Sequence, residues 1–246
     1  MNHSTIIGLI IILIFNTLFL KIYCIIEAKI ENQYKNAHES NSASDKNSQN
    51  SKKGTIIIKL KSVYKYLDRY MYGWMRYCII CTGKIPSNRI RKLLYKYIFG
   101  VHLTKKTVIN SGCEIRSPWN VKLGNCVIAG NCILDGRSGI EVHDNVVFGM
   151  NVHIWTQEHD INSPDFAVNS AHKGKVVIKS RAWICSDTTI MPGVIVEEGA
   201  VTAAKSCVIK NCLPYKVYGG VPAKIIAERT DNLTYELSGK PHWHFW

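Results

Sequence analysis

Apolar residues return at every sixth position through the second half of this chain, and few folds tolerate that spacing. The clearest series is Ile178, Ile184, Ile190, Val196, Thr202 and Val208, six apart without a slip. The fifth residue of each hexad is small or β-branched: Ala182, Thr188, Val194, Ala200 and Ser206. An earlier stretch reads the same way, with Leu123, Ala129 and Asp135 as openers, one inserted residue, then Val142, Phe148 and Ile154. Gly or Asn recurs between them, as in "LGNCVI", "AGNCIL" and "FGMNVH". A helix would scatter a six-residue period around its axis. A single strand has period two and rarely runs so long. A hexad fits a short strand and a tight turn, with the opener and the fifth residue pointing inward. Three hexads close a triangular coil, and coils stack as parallel strands. The hexads suffice for about four to five coils.

The period stops between Ile154 and Ile178. The intervening "IWTQEHDINSPDF" (154–166) is polar and sets His159 between Glu158 and Asp160. Imidazole titrates near neutral pH, so a histidine on a loop is a candidate general base. A neighbouring carboxylate or a backbone carbonyl can fix its tautomer, with Glu158 and Asp160 as the adjacent acids. Asp135 stands where the count expects an apolar opener, so it is a candidate for function, or a turn aspartate in "LDGRSG".

Residues 1–30 are read as a membrane anchor or signal segment. Residues 6–26 are apolar apart from Asn16, Thr17 and Lys21, long enough to span a bilayer. "MNHST" carries no Lys or Arg and no small-residue cleavage site follows, which favours an anchor over a cleaved signal. Lys21, Lys29 and Lys35 on the C-terminal side place the bulk of the chain, catalytic domain included, on the cytoplasmic face of the membrane. Residues 31–54, rich in Asn, Ser and Lys, are expected to be a disordered tether. Residues 55–106 hold twelve Lys and Arg against one Asp, nearly all of the net +13. Apolar and aromatic residues alternate with these cations, which predicts amphipathic helices, the second capped by Ser87 or Asn88. Such helices either meet anionic headgroups or cap the core with solvated lysines. No nucleic-acid-binding motif accompanies the charge. The nine cysteines include one C-x-x-C, Cys78 to Cys81, with no second pair to complete a zinc site. They read as free thiols of a reducing compartment. The terminal "HWHFW" is a weak metal signal and reads as aromatic packing.

The hexads, together with "MPGVIVEEGAVTAAKSCVIKNCLPYKVYGGVPAKII" (191–226), resemble the hexapeptide-repeat acyltransferases over residues 107–230. The resemblance implies an all-β fold, a left-handed parallel β-helix, preceded by the helices and the membrane segment and followed by a tail, 231–246. "ILDGRSGIEV", "HDINSPDF" and "DNLTYEL" resemble the sugar O-acetyltransferases of exopolysaccharide and capsule synthesis, the colanic acid acetyltransferase-like group. Maltose and galactoside acetyltransferases are more distant. This implies acetyl-CoA as co-substrate, no metal, a glycan acceptor, and a homotrimer with each active site between subunits. It assigns His159 as the catalytic base and Asp135 to the acceptor sugar. Ser186 and Ala204 fall to the oxyanion and the pantetheine arm, and Lys210, Lys224 and Arg229 to the CoA phosphates. The chain departs from the pattern at Gln157-Glu158, Cys185, Lys205 and Ile209. Lys205 replaces the usual glycine and either crowds the groove or adds a phosphate contact. Two other readings stand beside this one. A γ-class carbonic anhydrase needs three histidines on zinc, with His143, His153 and His159 as the candidates. A non-catalytic, membrane-tethered β-helix scaffold needs no CoA at all.

Overall fold

The structure is a computed structural model that describes residues 3–41, 54–168 and 173–241. The terminal "HWHFW" and residues 42–53 of the expected tether lie outside the described residues. The chain divides into two compact units, up to Cys78 and from Ile79.

The first unit holds the long helix α1 (His3–Asn41) and most of α2 (Gly54–Gly83), whose last turn belongs to the second. Helix α1 continues to Asn41, into the stretch expected to be tether. Its Thr5–Gln33 portion is long and apolar enough to cross a membrane. Ile10, Ile11, Ile12, Leu13, Ile14 and Phe15 are all exposed, so its apolar character runs round the helix. Two polar groups on α1 find partners on α2. Trp74 Nε1 donates to Asn16 Oδ1 at 2.9 Å, and Tyr23 donates to Asp68 Oδ1 at 2.9 Å. The order of these contacts makes the helices antiparallel.

In the second unit, α3 (Asn88–Tyr97) is capped by Ser87, whose Oγ accepts from the Ile90 N–H. Ser87 therefore settles the choice between the two cap candidates. Helix α3 covers the first coil. Arg91 is fully buried, bonded to the carbonyls of Ile85, Pro86 and Ile109. Tyr95 donates to the Cys113 carbonyl at 3.2 Å. For this helix the core-cap reading holds.

The rest is a parallel β-solenoid of five coils. The first coil comprises β1 (His102–Leu103), β2 (Val108–Ile109) and β3 (Glu114–Arg116). The second comprises β4 (Val121–Leu123), β5 (Val127–Ile128) and β6 (Ile133–Asp135). The third comprises β7 (Ile140–Val142), β8 (Val147–Phe148) and β9 (His153–Ile154). The fourth comprises β10 (Val176–Ile178), β11 (Trp183–Ile184) and β12 (Thr189–Ile190). The fifth comprises β13 (Ile195–Val196), β14 (Val201–Thr202) and β15 (Cys207–Val208). The first, second and third strands of the coils stack into three separate faces. On the second face β16 (Lys216–Gly219) and β17 (Lys224–Glu228) add a closing antiparallel hairpin.

Every opener from Ile178 to Val208 is at most 1% exposed, and the fifth residues at most 2%. The second coil corrects the sequence count. Register pairs Leu123 with Val142, Val127 with Val147, and Leu134 with Ile154. The openers are therefore Leu123, Ile128 and Leu134, not Ala129 and Asp135. A five-residue step and an eight-residue step replace the single insertion, because a 3-10 turn at Gly136–Ser138 bulges from the third corner.

The corners share one demand. Three residues after the opener, the backbone is left-handed at Asn131, Asn145, Asn151, Arg181, Asp187, Gly193, Gly199 and Lys205. Asn, Asp and Gly enter that region at low cost, whereas a long L side chain pays about 1–2 kcal/mol. Lys205 (φ 62°) bears this cost.

The tail runs back along the corner between the first and second faces. Arg229 Nη1 donates to the carbonyls of Arg181 (2.9 Å) and Gly199 (3.1 Å). Tyr235 donates to Arg181 O at 3.1 Å, and the Leu237 N–H to Asn145 Oδ1 at 2.9 Å. Gly239 lies against Lys106 in the first coil, where a Cβ would come within 2.5 Å of the Lys106 Cα.

Two outcomes follow for stability. Lys205→Gly should stabilise the domain by about 0.5–1 kcal/mol, the relief of left-handed strain less the greater chain entropy of glycine. Arg229→Ala should destabilise it by about 1.5–3 kcal/mol, as a charged donor to two carbonyls is lost. Denaturant unfolding of each variant checks both.

Candidate functional site

The segment that interrupts the repeat leaves the solenoid after β9, at the corner between the third and first faces. It is a closed excursion. Gln157 bridges Lys173 in antiparallel fashion, and the Gly174 N–H returns to the Thr156 carbonyl at 3.0 Å. Within it the Asp160 N–H donates to Ala167 O (2.8 Å) and the Phe166 N–H to Ser163 O (2.9 Å).

His159 sits on this loop, exposed, with its Nδ1 2.6 Å from the Phe166 carbonyl oxygen. A carbonyl only accepts, so Nδ1 carries a proton, and in the neutral imidazole Nε2 is the nitrogen with the free lone pair. The Phe166 ring stacks on the imidazole at 4.4 Å between centroids and 3° between planes. Phe166 has φ 47°, an outlier for an aromatic residue. This residue positions the histidine twice over, by ring and by carbonyl. The sequence allowed a backbone carbonyl or a neighbouring acid, Glu158 or Asp160, in this role, but did not point to Phe166. Asp160 is employed elsewhere, its Oδ1 accepting from the Asn162 N–H at 2.9 Å. The one signal was the place of Phe166 at the end of "HDINSPDF".

Asp135 lies at the same corner, one coil below the loop. Its side chain is fully buried. Arg137 grips both carboxylate oxygens at 2.8 Å, and the Thr156 N–H reaches Oδ2 at 3.4 Å. Thr156 Oγ1 donates to the Asp135 carbonyl at 2.7 Å and accepts from the Ser138 N–H at 2.9 Å. The expected contact between Asp135 and an acceptor sugar does not fit this burial. The carboxylate instead fixes the root of the His159 loop.

Ser186 and Ala204 occupy a different corner, between the second and third faces. They stack one coil apart, the Lys205 N–H donating to Ser186 O at 3.0 Å. Ser186 Oγ accepts from the Met150 N–H at 3.1 Å, and among the described residues its hydroxyl proton goes to no acceptor. Gly149 permits this approach, since a Cβ there would lie 2.3 Å from the Ser186 nitrogen. The "GGVPAK" turn folds onto the same corner. Gly220 O accepts from the Cys207 N–H (3.0 Å), and the Ala223 N–H donates to Cys207 O (2.8 Å). This brings Lys224, exposed on β17, beside the column of Ser186 and Ala204. Lys210 is exposed at the end of β15, on the corner of the histidine loop. Arg229 is at the remaining corner, between the first and second faces, bonded to backbone carbonyls, so the structure gives it a clamping place rather than a phosphate-facing one. One chain therefore sets the Ser186–Ala204 column and the histidine loop on separate edges.

His143 pairs with Glu141 at 3.5 Å, and among the described residues no three His, Cys, Asp or Glu side chains come together. The three-histidine zinc site of the carbonic anhydrase reading does not form. All nine cysteines are free, and burial pushes the Cys212 thiol up to about 12.

No protein-family model matches the chain. The "Putative colanic acid biosynthesis acetyltransferase" of Escherichia coli K12 is 30% identical over 135 residues, covering 54% of this chain and 72% of that protein. A maltose O-acetyltransferase from Clostridium difficile 630 superposes with a TM-score of 0.52 at 24% identity, over 58% of this chain and 76% of that one. A hexapeptide-repeat acetyltransferase from Vibrio cholerae, solved with acetyl coenzyme A, gives 0.55 at 21% identity, over 63% and 89%. The two structures share the fold. The 30% identity over 72% of the E. coli protein, together with the five stacked coils, places this chain in the hexapeptide-repeat acetyltransferase family, and it is an acyltransferase.

Proposed function

We propose that the protein is an acetyl-CoA-dependent O-acetyltransferase, acting on a sugar hydroxyl of an exopolysaccharide or capsule glycan or of its precursor. The observation that carries the reading is the His159 imidazole, held at Nδ1 by the Phe166 carbonyl with Nε2 basic. The E. coli relative, named for colanic acid biosynthesis, supports the glycan class.

The chemistry needs a base and an oxyanion donor. Nε2 removes the acceptor hydroxyl proton as the oxygen attacks the thioester carbonyl. The Ser186 hydroxyl, already oriented by the Met150 N–H, donates to the oxygen that gains charge. Collapse of the tetrahedral intermediate expels the thiolate, and the imidazolium returns the proton to it. Lys210, Lys224 and exposed Lys205 supply positive charge for the CoA phosphates.

The two halves of this machinery lie on different edges of one chain, and a cyclic trimer unites them by setting the loop of one subunit against the column of the next. Ile161 and Phe166, exposed on the loop, suit a surface that a neighbour covers. The solenoid is then the left-handed form of the family. Helix α1, with residues 6–26 as its apolar centre, anchors the assembly on the cytoplasmic face of the membrane, where basic α2 meets anionic headgroups.

His159→Ala should lower kcat by about 10²–10⁴-fold in a thiol-release assay with acetyl-CoA and a sugar acceptor, and wild-type turnover retained in that variant would remove the assigned base. Phe166→Gly keeps the carbonyl and loses the ring, so its loss should be smaller, about 3- to 10-fold in kcat. Ser186→Ala should cost about 10²-fold in kcat with KM little changed.

A further inference from the structure

Among the remaining cavities, one carries four cations on its lining. It has a volume of about 500 Å³ and lies at the first-coil end of the solenoid. Arg89 and Lys92 of α3, Lys105 from the turn between β1 and β2, and Lys240 of the tail line it, with Asn88 and Thr107. Among the described residues, no acidic side chain lines it. None of the four cations forms an ion pair with a described residue, although the same chain pairs Lys175 with Glu141 and Lys216 with Glu228.

The four charges are brought together by structure rather than by sequence. Buried Arg91 and the Ser87 cap fix α3 against β2. Lys92 is drawn in by a 2.5 Å bond to the Lys105 carbonyl. Burial, and then the nearby Lys96, hold the Lys92 ammonium below the usual lysine range, as expected where positive charge lacks compensation. Lys240 arrives only because the tail returns along the whole solenoid and packs Gly239 on Lys106. Asn88 and Thr107 are already spent on the carbonyls of Ile109 and Gly124, which leaves the cations to meet whatever enters. A concave site of one sign of charge concentrates ions of the other. Lysine and arginine together suit the several acceptor oxygens of a phosphate. The cavity exceeds one phosphate in volume, so the group it fits is a phosphate with something attached.

We infer that the cavity between α3, the first coil and the C-terminal tail is a binding site for a phosphate-bearing group, either a lipid headgroup or a soluble phosphate ester. It is separate from the thioester column, because Lys105 is in the first coil and Ser186 and Ala204 are in the fourth and fifth. At about 4.8 Å per coil these lie roughly 15–20 Å apart along the axis.

The test uses the full chain in neutral detergent micelles, titrated calorimetrically with inorganic pyrophosphate and, separately, with dioctanoyl phosphatidylglycerol against dioctanoyl phosphatidylcholine. The expected result is one saturable site per chain that weakens with salt. It should weaken at least tenfold in Lys92→Gln/Lys105→Gln, and severalfold in Lys240→Gln, whose exposed tail position keeps folding intact. Binding of pyrophosphate alone identifies a soluble ester, and stronger binding of the anionic lipid identifies a headgroup. Equal binding by wild type and both variants, or none by wild type, overturns the inference. Acetyl transfer should be unchanged in Lys240→Gln, so the two proposals fail independently.

Discussion

Each coil must turn three times within about twenty residues, and eight of these turns, from Asn131 to Lys205, are made by one residue in a left-handed conformation. The rest of the structure depends on that corner. It leaves room for strands of only two or three residues, too short to hold together alone. Their stability comes from stacking: each opener meets the openers above and below and is shut from water, at about 1.5–3 kcal/mol per large apolar side chain. Asn, Gly and Asp at the corners and Ile, Val and Leu at the openers are two sides of one requirement. Arg181 and Lys205 violate the corner rule. Arg181 is compensated in part because its carbonyl receives Arg229 and Tyr235. Lys205 lies exposed beside Ala204, next to the proposed thioester groove.

A rigid triangular prism also limits chemistry. Its side chains either fill the interior or stand in fixed rows. The proposed base, His159, sits on an excursion, rooted by Asp135, Arg137 and Thr156 and held at its tip by Phe166. The buried ion pair at the root is suited to this task, since a carboxylate held by a bidentate guanidinium leaves little freedom in the chain above it. The tip needs a rigid imidazole with one nitrogen basic, and a backbone carbonyl supplies that without adding a charge.

The repeat from Ile178 to Val208 was legible because burial and spacing agree at every position. The second coil was read one residue out of register. Both Leu134 and Asp135 are buried, and the five- and eight-residue steps sum to the total that a single insertion would give. Ser87 as cap and His159 on the loop were readable from residue type. Phe166 was not, because its carbonyl has no signature in the sequence and its φ is set by the closed loop. Arg229 misled for a related reason: a basic residue near a chain's end looks the same whether it clamps carbonyls or faces phosphate. Within the charge of residues 55–106, Arg91 is a buried staple, while Arg89, Lys92 and Lys105 line the basic cavity.

The central claim is that the histidine loop of one subunit completes the thioester column of another. The direct measurement is subunit mixing. His159→Ala removes the base and Ala204→Trp fills the groove, and each variant alone should be inactive. Random mixed trimers, co-expressed in equal amounts, should recover about one quarter of wild-type activity, the share of sites that draw an intact loop and an intact column from different chains. Mixtures no more active than either parent would contradict the account and place the whole site within one chain.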